Sequence, residues 1–241
     1  MKRAGALSLN ILVIDTASSL EIIAAARGDE ASEASIVVST SHSVTIMDTI
    51  GVCLERLGLA AGDLDCLGVG VGPGSFTGIR IAVSAARMLA QVLGKPLVGI
   101  HTHLLYAVSV KADPGENILV VFDAKKGRVF GALYRAGESA LSPREVIAPG
   151  DYPMERLLDG ADRSRKTYLI GNGVEKYRQA AATLEHGVFL DNFKPSGTVI
   201  CGLVRETYLK SPAGYGDYNR VVPYYARKSD AEIAKELREN K

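Results

Sequence analysis

Apolar and polar positions alternate along the chain in a pattern that repeats once. Residues 11–26 form an apolar run that ends in Asp15, then a polar turn and a second apolar run. The same order returns at residues 119–134, where Asp123 holds the corresponding place. Each unit predicts a β-hairpin, because β-branched residues favour strands and polar residues favour the corner. Two matching hairpins predict two similarly built α/β halves.

Two segments in the first half of the chain show helical periodicity. In the stretch that ends at Leu57, apolar side chains recur three and four residues apart, at Met47, Ile50 and Leu54. A glycine-rich segment at residues 72–78 then leads into a second helix predicted from Phe76 to Leu93. Its polar positions form one stripe, so its apolar surface is wider than one sheet covers. This pattern fits complete burial inside the protein or a face that pairs with another protein.

Composition narrows the class of protein. The chain has 241 residues, 47% of them apolar, and a formal net charge of +1. It can bury a sizeable core, and it has too little positive charge for strong non-specific binding of nucleic acid. No stretch approaches the roughly 20 apolar residues that span a bilayer. The three widely spaced cysteines indicate reduced core thiols and a cytoplasmic protein. Residues 142–152, which contain prolines, predict a loop.

The glycine-rich segment and the two matched aspartates are the main candidates for ligand binding. Glycines let the backbone turn tightly and bring its N–H groups to an anion at a helix start. The spacing matches neither a P-loop nor a dinucleotide fingerprint, which favours a role in packing the helix on the sheet. Asp15 and Asp123 would face each other across a cleft and hold a cation bound to nucleotide phosphates. The alternative is that each aspartate caps its own turn.

No arrangement of side chains predicts catalysis. His101 and His103 are two residues apart at the start of a helix, so they point in different directions, unlike metal ligands three or four apart. The spacing offers neither a Ser/His/Asp nor a Cys/His set. The sequence therefore predicts no catalytic residue and no metal site.

Five segments together resemble the TsaB (YeaZ) family. They are residues 14–17, His42 at a helix start, and residues 72–80, 123–129 and 223–227, and the likeness runs from residue 10 to residue 228. The family is similar in fold to actin and Hsp70-type ATPases. The resemblance therefore implies an α/β protein of two ribonuclease-H-like halves, each a mixed sheet flanked by helices. We expect an N-terminal domain with partner-binding helices at residues 1–108, and a second domain with a C-terminal extension at residues 109–241.

The resemblance also implies a function. It is a role in forming N6-threonylcarbamoyladenosine at position 37 of tRNAs that read codons beginning with A. In that system a synthase makes threonylcarbamoyl-AMP, and the TsaD subunit transfers the group to the tRNA. Its non-catalytic paralogue of the TsaB type pairs with TsaD as a heterodimer, and the ATPase TsaE joins the pair. The chain would contact tRNA only through this complex. Whether the isolated chain forms a homodimer is left undecided by the resemblance.

The same resemblance suggests two sets of site residues. Apolar anchors flanked by arginine are typical of interface centres, and the partner interface is predicted at Val44, Met47, Ile50, Leu54, Arg80, Val83 and Arg87. No cofactor is expected to be required. A site for weak binding of ATP or ADP is left open at Asp15, Thr16, Gly74, Ser75 and Asp123.

The predicted lack of a metal site can be checked by comparing this sequence with the metal-binding residues of TsaD. TsaD carries two metal-binding histidines four residues apart, just after a segment that residues 99–101 resemble. Aligned there, the ligand positions fall on Thr102 and Tyr106, neither of which suits iron or zinc. The resemblance therefore implies a subunit without transfer chemistry. An ATP-dependent phosphotransferase, favoured by the fold and the paired aspartates, is the alternative function, and a peptidase is favoured only by the older glycoprotease-like (M22) naming of such proteins.

Overall fold

The computed structural model describes residues 8–37 and 42–227, and in this part of the chain the strands form two five-stranded sheets. The first sheet consists of β1 (Asn10–Asp15), β2 (Leu20–Arg27), β3 (Glu30–Val37), β4 (Cys66–Gly70) and β5 (Leu97–Ile100). The second consists of β6 (Asn117–Asp123), β7 (Val129–Arg135), β8 (Arg144–Tyr152), β9 (Thr167–Ile170) and β10 (Gly187–Phe189). Their orders are β3-β2-β1-β4-β5 and β8-β7-β6-β9-β10.

Each sheet follows the same plan. Its first three strands run antiparallel as a meander, and its last two run parallel to the first. Asp15 pairs with Ile22, and Asp123 pairs with Val129, so both aspartates end the first strand of a hairpin. The repeat predicted from the sequence is confirmed.

Helices cover the outer faces of both sheets and fill the space between them. They are α1 (His42–Glu55), α2 (Phe76–Leu93), α3 (Thr102–Ala107), α4 (Met154–Gly160), α5 (Arg178–Ala181) and α6 (Gly197–Lys210). Helices α1 and α2 pack on one face of the first sheet, and α4 and α5 pack on the outer face of the second. Helices α3 and α6 lie in a central core that both sheets share. Alternate side chains of β1 lie on opposite faces of the first sheet. Leu12 and Ile14 face α1 and α2, whereas Ile11 and Val13 face the central core.

The last described part of the chain returns to the first half. Helix α6 lies within the predicted second domain, residues 109–241, yet it packs on β1, β2 and β3 of the first sheet. Glu33 on β3 accepts a hydrogen bond from the backbone N–H of Gly197, where α6 begins. Farther along, Val221 is buried with the residues of α1 and α2. Residues late in the chain therefore complete the packing of the first sheet, and the predicted domain boundary stays a prediction.

Helix α2 has the bounds that the sequence predicts. The hydroxyl of Ser75 accepts a hydrogen bond from the N–H of Gly78 at 3.2 Å, and Gly94 ends the helix with a φ of 64°. Within the described residues, α2 is the helix with the length and apolar composition to cross a membrane. Because it packs on the first sheet through buried side chains such as Ile79 and Ala86, we interpret it as a core helix.

The loop predicted at residues 142–152 is wrong, because the segment from Arg144 to Tyr152 forms strand β8. This strand lies at the edge of the second sheet and pairs with β7, with irregular register between Gly131 and Tyr134. Proline is tolerated in an edge strand, where its missing N–H removes no bond to a further strand. Proline content alone therefore did not distinguish a loop from an edge.

Two glycines allow the segment at residues 72–78 to touch the turn between β1 and β2. A Cβ at Gly78 would lie 1.9 Å from the carbonyl oxygen of Thr16, and one at Gly74 would lie 2.1 Å from that of Ala17. Backbone atoms cannot move away as a flexible side chain can. Only glycine therefore fits at these two positions without displacing the start of α2.

We expect Gly78→Ala to lower the free energy of unfolding by about 1–3 kcal/mol, because the new methyl group overlaps the backbone of Thr16. Gly51→Ala is the matched control: it lies within α1, and a Cβ there has no other atom within 4 Å. That change should raise the free energy of unfolding by about 0.5–1 kcal/mol, since alanine favours helix. Urea unfolding of both variants tests the contact. Equal changes in the free energy of unfolding for the two variants would contradict it.

Candidate functional site: the cleft between the halves and an exposed helical face

A cleft of about 570 Å³ opens between the two halves. Its walls come from the β1–β2 turn, the glycine-rich segment, the β6–β7 hairpin and the last described residues. The lining includes Ser18, Ser19, Gly74, Ser75, Phe76, Asp123, Lys125, Phe130, Asn172, Tyr225 and Arg227. A smaller cavity of about 340 Å³ adjoins it at Ser18, Ser19 and Asn172. Three of the residues predicted to bind nucleotide, Gly74, Ser75 and Asp123, therefore meet in one cleft.

The other two predicted residues, Asp15 and Thr16, are fully buried and do not line the cleft. The Asp15 carboxylate accepts hydrogen bonds from the hydroxyl of Thr102 at 2.5 Å and from the N–H of Ala17 at 3.0 Å. Burial raises the pKa of Asp15 to about 6, although these two bonds oppose the shift. The hydroxyl of Thr16 donates to the carbonyl of Gly78 at 2.6 Å. Both side chains therefore join β1 to neighbouring helices.

Asp123 lies at the cleft with its charge already balanced. Its Oδ1 atom accepts hydrogen bonds from the Lys176 ammonium at 2.8 Å and from the N–H of Lys125 at 2.9 Å. Partial burial favours a higher pKa for Asp123, but the bonds to Lys176 and Lys125 outweigh it and lower that pKa below its usual value. A hard cation needs several oxygen ligands. With Asp15 buried, the two aspartates do not form a shared cation site.

The glycine-rich segment uses several of its N–H groups inside the protein. The N–H of Ser75 donates to the carbonyl of Ala17 at 2.7 Å, and that of Gly72 donates to the hydroxyl of Thr102 at 3.2 Å. The N–H of Gly78 is bound by the hydroxyl of Ser75. A phosphate cradle needs N–H groups directed at the ligand. This geometry supports the packing role that the spacing favoured.

The side chains of His101 and His103 lie in different surroundings. The Nδ1 atom of His101 lies 3.3 Å from the carbonyl oxygen of Gly72. His103 is fully buried beside the ring of Phe122, at a centroid distance of 4.7 Å, and burial lowers its pKa to about 4. In the described ranges, no three His, Cys, Asp or Glu side chains lie close enough to hold a metal ion. The absence of a metal in the working protein stays a prediction.

The predicted partner interface divides into buried and exposed residues. Ile50, Leu54 and Val83 are buried in the core between α1, α2 and the first sheet, so their prediction as surface anchors is wrong. Periodicity shows that a helix has an apolar face, but this face turned out to be the one that the sheet covers. Met47 is about half exposed. The side chain of Val44 lies outside the described residues.

Both predicted arginines lie near the surface and contact the last described segment. The Nε atom of Arg80 donates to the hydroxyl of Tyr225 at 2.8 Å, and its guanidinium lies 3.9 Å from the ring centroid of Phe76. The Nη2 atom of Arg87 donates to the amide oxygen of Asn219 at 2.6 Å. Hydrogen bonds therefore fix both arginine side chains on the outer surface of α2.

Three exposed apolar side chains were missed by the sequence reasoning. Met88 and Val92 on α2 are 50% and 77% exposed, and Val52 on α1 is also exposed. We use the name α1–α2 face for these three residues and Met47, which are all exposed and lie on the two helices that pack on the first sheet. A helical wheel would have found the two α2 residues, because they lie next to the polar stripe of Ser84 and Gln91. Met88 and Val92 are four residues apart and so lie on one side of α2, and adjacent exposed apolar residues mark binding surfaces.

Comparison with known proteins places this geometry in a family. A family model described as TsaD, tRNA N6-adenosine threonylcarbamoyltransferase, matches residues 36–235. The tRNA threonylcarbamoyladenosine biosynthesis protein TsaB of Bacillus subtilis (strain 168) is 28% identical over 234 residues, which cover 93% of this chain and 96% of that protein. The tRNA N6-adenosine threonylcarbamoyltransferase of Moorella thermoacetica is 39% identical over 142 residues, which cover 50% of this chain and 41% of that protein.

A solved structure shows the same fold. YeaZ from Pseudomonas aeruginosa matches with a TM-score of 0.77 at 20% sequence identity, covering 90% of this chain and 99% of that structure. With the two mixed sheets, this match confirms the predicted α/β fold of two ribonuclease-H-like halves, as in the actin and Hsp70 superfamily.

The buried Asp15 makes a prediction about pH. Its pKa is about 6 in the folded protein against an ordinary value of 3.8, so the folded state binds the proton more tightly. The free energy of unfolding therefore falls as pH rises through this interval. Asparagine cannot ionise. The stability of Asp15→Asn relative to the unchanged protein should therefore increase between about pH 4 and pH 7, by up to about 3 kcal/mol.

Urea unfolding at several pH values measures this difference. A pH-independent difference for Asp15→Asn would contradict the raised pKa of the buried carboxyl.

Proposed function

The chain belongs to the TsaB (YeaZ) branch of the TsaD family, and we propose that it is the non-catalytic subunit that pairs with and activates the TsaD threonylcarbamoyltransferase. The product of that system is N6-threonylcarbamoyladenosine at position 37 of tRNAs that read codons beginning with A. The observation that carries the proposal is the environment of Thr102 and Tyr106, the positions that resemblance aligns with the metal-binding histidines of TsaD.

Neither of these two side chains is available to a metal. The hydroxyl of Thr102 donates to the Asp15 carboxylate, and the hydroxyl of Tyr106 shares a hydrogen bond of 2.8 Å with that of Ser18. Both residues are buried. A hydroxyl and a phenol engaged in this way do not fit an iron or zinc site, which favours imidazole or thiolate ligands. This supports a subunit that contributes no metal chemistry of its own.

The α1–α2 face suits a protein partner. Its exposed Met88 lines a surface pocket together with Arg87, and methionine and arginine are enriched at interface centres. We propose that TsaD packs its matching helices on this face to form a mixed helical bundle. The ATPase TsaE joins the pair, tRNA is met through the complex, and the assembly works in the cytoplasm.

The cleft favours a subunit that does not hydrolyse nucleotide. Asp15 is buried, and Lys176 neutralises Asp123, so no pair of carboxylates is left to hold a phosphate-bound cation. An ATP-dependent phosphotransferase is the second candidate, because Asp123, Gly74 and Ser75 do line one cleft. ATP turnover by the purified chain alone would favour that candidate, and weak binding of ATP or ADP without turnover would not.

We expect Met88→Glu with Val92→Glu to abolish pairing with TsaD while the chain stays folded, because both side chains are exposed before pairing and lose water on pairing. Leu209→Glu, an exposed apolar position on α6, is the control and should pair normally. Ile50 is not used, since a glutamate there would be buried in the core. Co-elution with purified TsaD is the measurement, and an unchanged complex with the double variant would place the interface elsewhere.

Reconstitution of the modification tests the function itself. Purified synthase, TsaD, TsaE and tRNA are combined with the unchanged chain, with Asp15→Asn, with the Met88 and Val92 double variant, or with no chain. Omission and the double variant should both abolish modification, and Asp15→Asn should leave it nearly unchanged because no hydrolysis occurs at this subunit. Full modification without the chain would refute the proposed function. A loss with Asp15→Asn as large as with the double variant would show that the chain uses a nucleotide.

A further inference from the structure

We propose that the mouth of the cleft binds a single-stranded segment of RNA directly, by stacking and by charge, without a divalent cation. The surface concerned, which we call the stacking surface, consists of Phe76, Arg80, Lys125, Phe130, Tyr225 and Arg227. The source of the RNA rests on the proposed function, since a tRNA-modifying assembly supplies one. The geometry of the surface is independent of that function.

The first observation is a stack of flat groups at the edge of the cleft. The rings of Phe76 and Tyr225 stack with their centroids 4.5 Å apart, and the Arg80 guanidinium lies on the Phe76 ring at 3.9 Å. The bond from Arg80 to the Tyr225 hydroxyl fixes the arrangement. Tyr225 and Arg80 are both exposed, so the stack reaches the protein surface. Unpaired bases bind proteins by stacking on aromatic rings and guanidinium planes.

The second observation is positive charge beside this stack. Lys125 and Arg227 line the cleft, and the Arg227 guanidinium lies 5.3 Å from the ring centroid of Phe130. Asp123 is the acidic residue among the described lining residues, and Lys176 balances it at 2.8 Å. The mouth of the cleft therefore carries the charge that complements phosphate.

The acidic residues of the adjoining cavity do not cancel this charge. Glu175 and Asp191 line that cavity, and both form ion pairs with Arg178. Their carboxylates are directed to a guanidinium of their own half. With Lys194, which also lines that cavity, two cations match the two carboxylates, so the cavity adds no net negative charge beside the mouth.

The third observation is the backbone that presents the lysines. Lys125 and Lys126 have φ values of 60° and 50°, and Gly127 follows with 75°. Side chains other than glycine, asparagine and aspartate rarely adopt this left-handed region. This tight turn at the tip of the β6–β7 hairpin holds Lys125 at the lining of the cleft.

RNA fits these observations better than a free nucleotide does. A nucleotide triphosphate brings a divalent cation, which needs oxygen ligands that Asp15 and Asp123 do not offer. RNA phosphates bind lysine and arginine directly, by releasing their own counterions. The stack also continues outward from the cleft to the surface, as an extended strand requires. The small net charge of +1 explains why this contact would add to a complex rather than bind RNA strongly alone.

Fluorescence anisotropy with the full chain tests the charge contribution. The probe is a fluorescein-labelled, unmodified tRNA transcript, titrated in EDTA at a series of KCl concentrations. Lys125→Gln with Arg227→Gln should weaken binding severalfold and lower the slope of log K against log salt by about 1.4, for two phosphates of a single strand. Lys111→Gln with Lys210→Gln removes the same charge from exposed positions outside the cleft lining and should leave the slope unchanged.

The stacking contribution is tested at Tyr225. Tyr225→Ala should weaken tRNA binding by about fivefold or more, because one base loses its platform. Tyr225→Phe keeps the ring but loses the bond from Arg80, so it should bind tRNA more tightly than Tyr225→Ala does. Thermal melts followed by circular dichroism show that both variants are folded.

Three results would overturn the inference. The first is an equal loss of tRNA affinity in the two double variants. The second is a requirement for Mg²⁺ in tRNA binding. The third is displacement of the tRNA by ATP from the unchanged chain, together with a tRNA affinity that Tyr225→Ala does not change. Because these titrations use the chain alone, they stand apart from the pairing and reconstitution experiments. Failure of the unchanged chain to pair with TsaD, together with the expected fall in salt slope for Lys125→Gln with Arg227→Gln, would refute the proposed function only. Normal pairing with no cleft-specific loss of RNA binding would refute this inference only.

Discussion

The structure depends on the contact between the glycine-rich segment and the turn that follows β1. The N–H of Ser75 donates to the carbonyl of Ala17, and the hydroxyl of Thr16 donates to the carbonyl of Gly78. Because a Cβ at Gly78 would lie 1.9 Å from the Thr16 carbonyl, this contact exists only with glycine. It fixes where α2 begins and how the helix is rotated. The rotation decides which side chains of α2 enter the core and which, like Met88 and Val92, remain exposed.

The buried Asp15 extends this constraint to the second half. Its carboxylate binds Thr102 at the start of α3, and Gly70 leaves the space for it, since a Cβ there would lie 1.6 Å from Oδ2. Helix α3 packs in the central core against β6 and β7. One carboxyl group therefore joins the first strand to the helix that contacts both sheets. Its raised pKa is the electrostatic cost of that position, since burial disfavours the charged form.

Local patterns predicted the elements well, and long-range packing explains what they missed. The paired hairpins and the bounds of α2 follow from residues that act on their neighbours, such as Ser75 and Gly94. The interface residues Ile50, Leu54 and Val83 were placed on the surface because periodicity identifies an apolar face without showing what covers it. The burial of Asp15 likewise depends on Thr102, 87 residues away in the chain. Strand β8 and the return of α6 to the first sheet also depend on such distant contacts.

The last described segment connects the features that bear on function. The N–H of Tyr224 donates to the carbonyl of Val71 at 2.8 Å in the first half, and its hydroxyl donates to the carbonyl of Pro149 at 3.3 Å in the second. On either side of it, Asn219 binds Arg87 and Tyr225 binds Arg80, both on α2. The segment therefore contacts the helix of the exposed face, the edge of the second sheet and the cleft. Because residues of this one segment bind both arginines of α2 and also line the cleft, the outer surface of α2 and the cleft share a structural element in this fold.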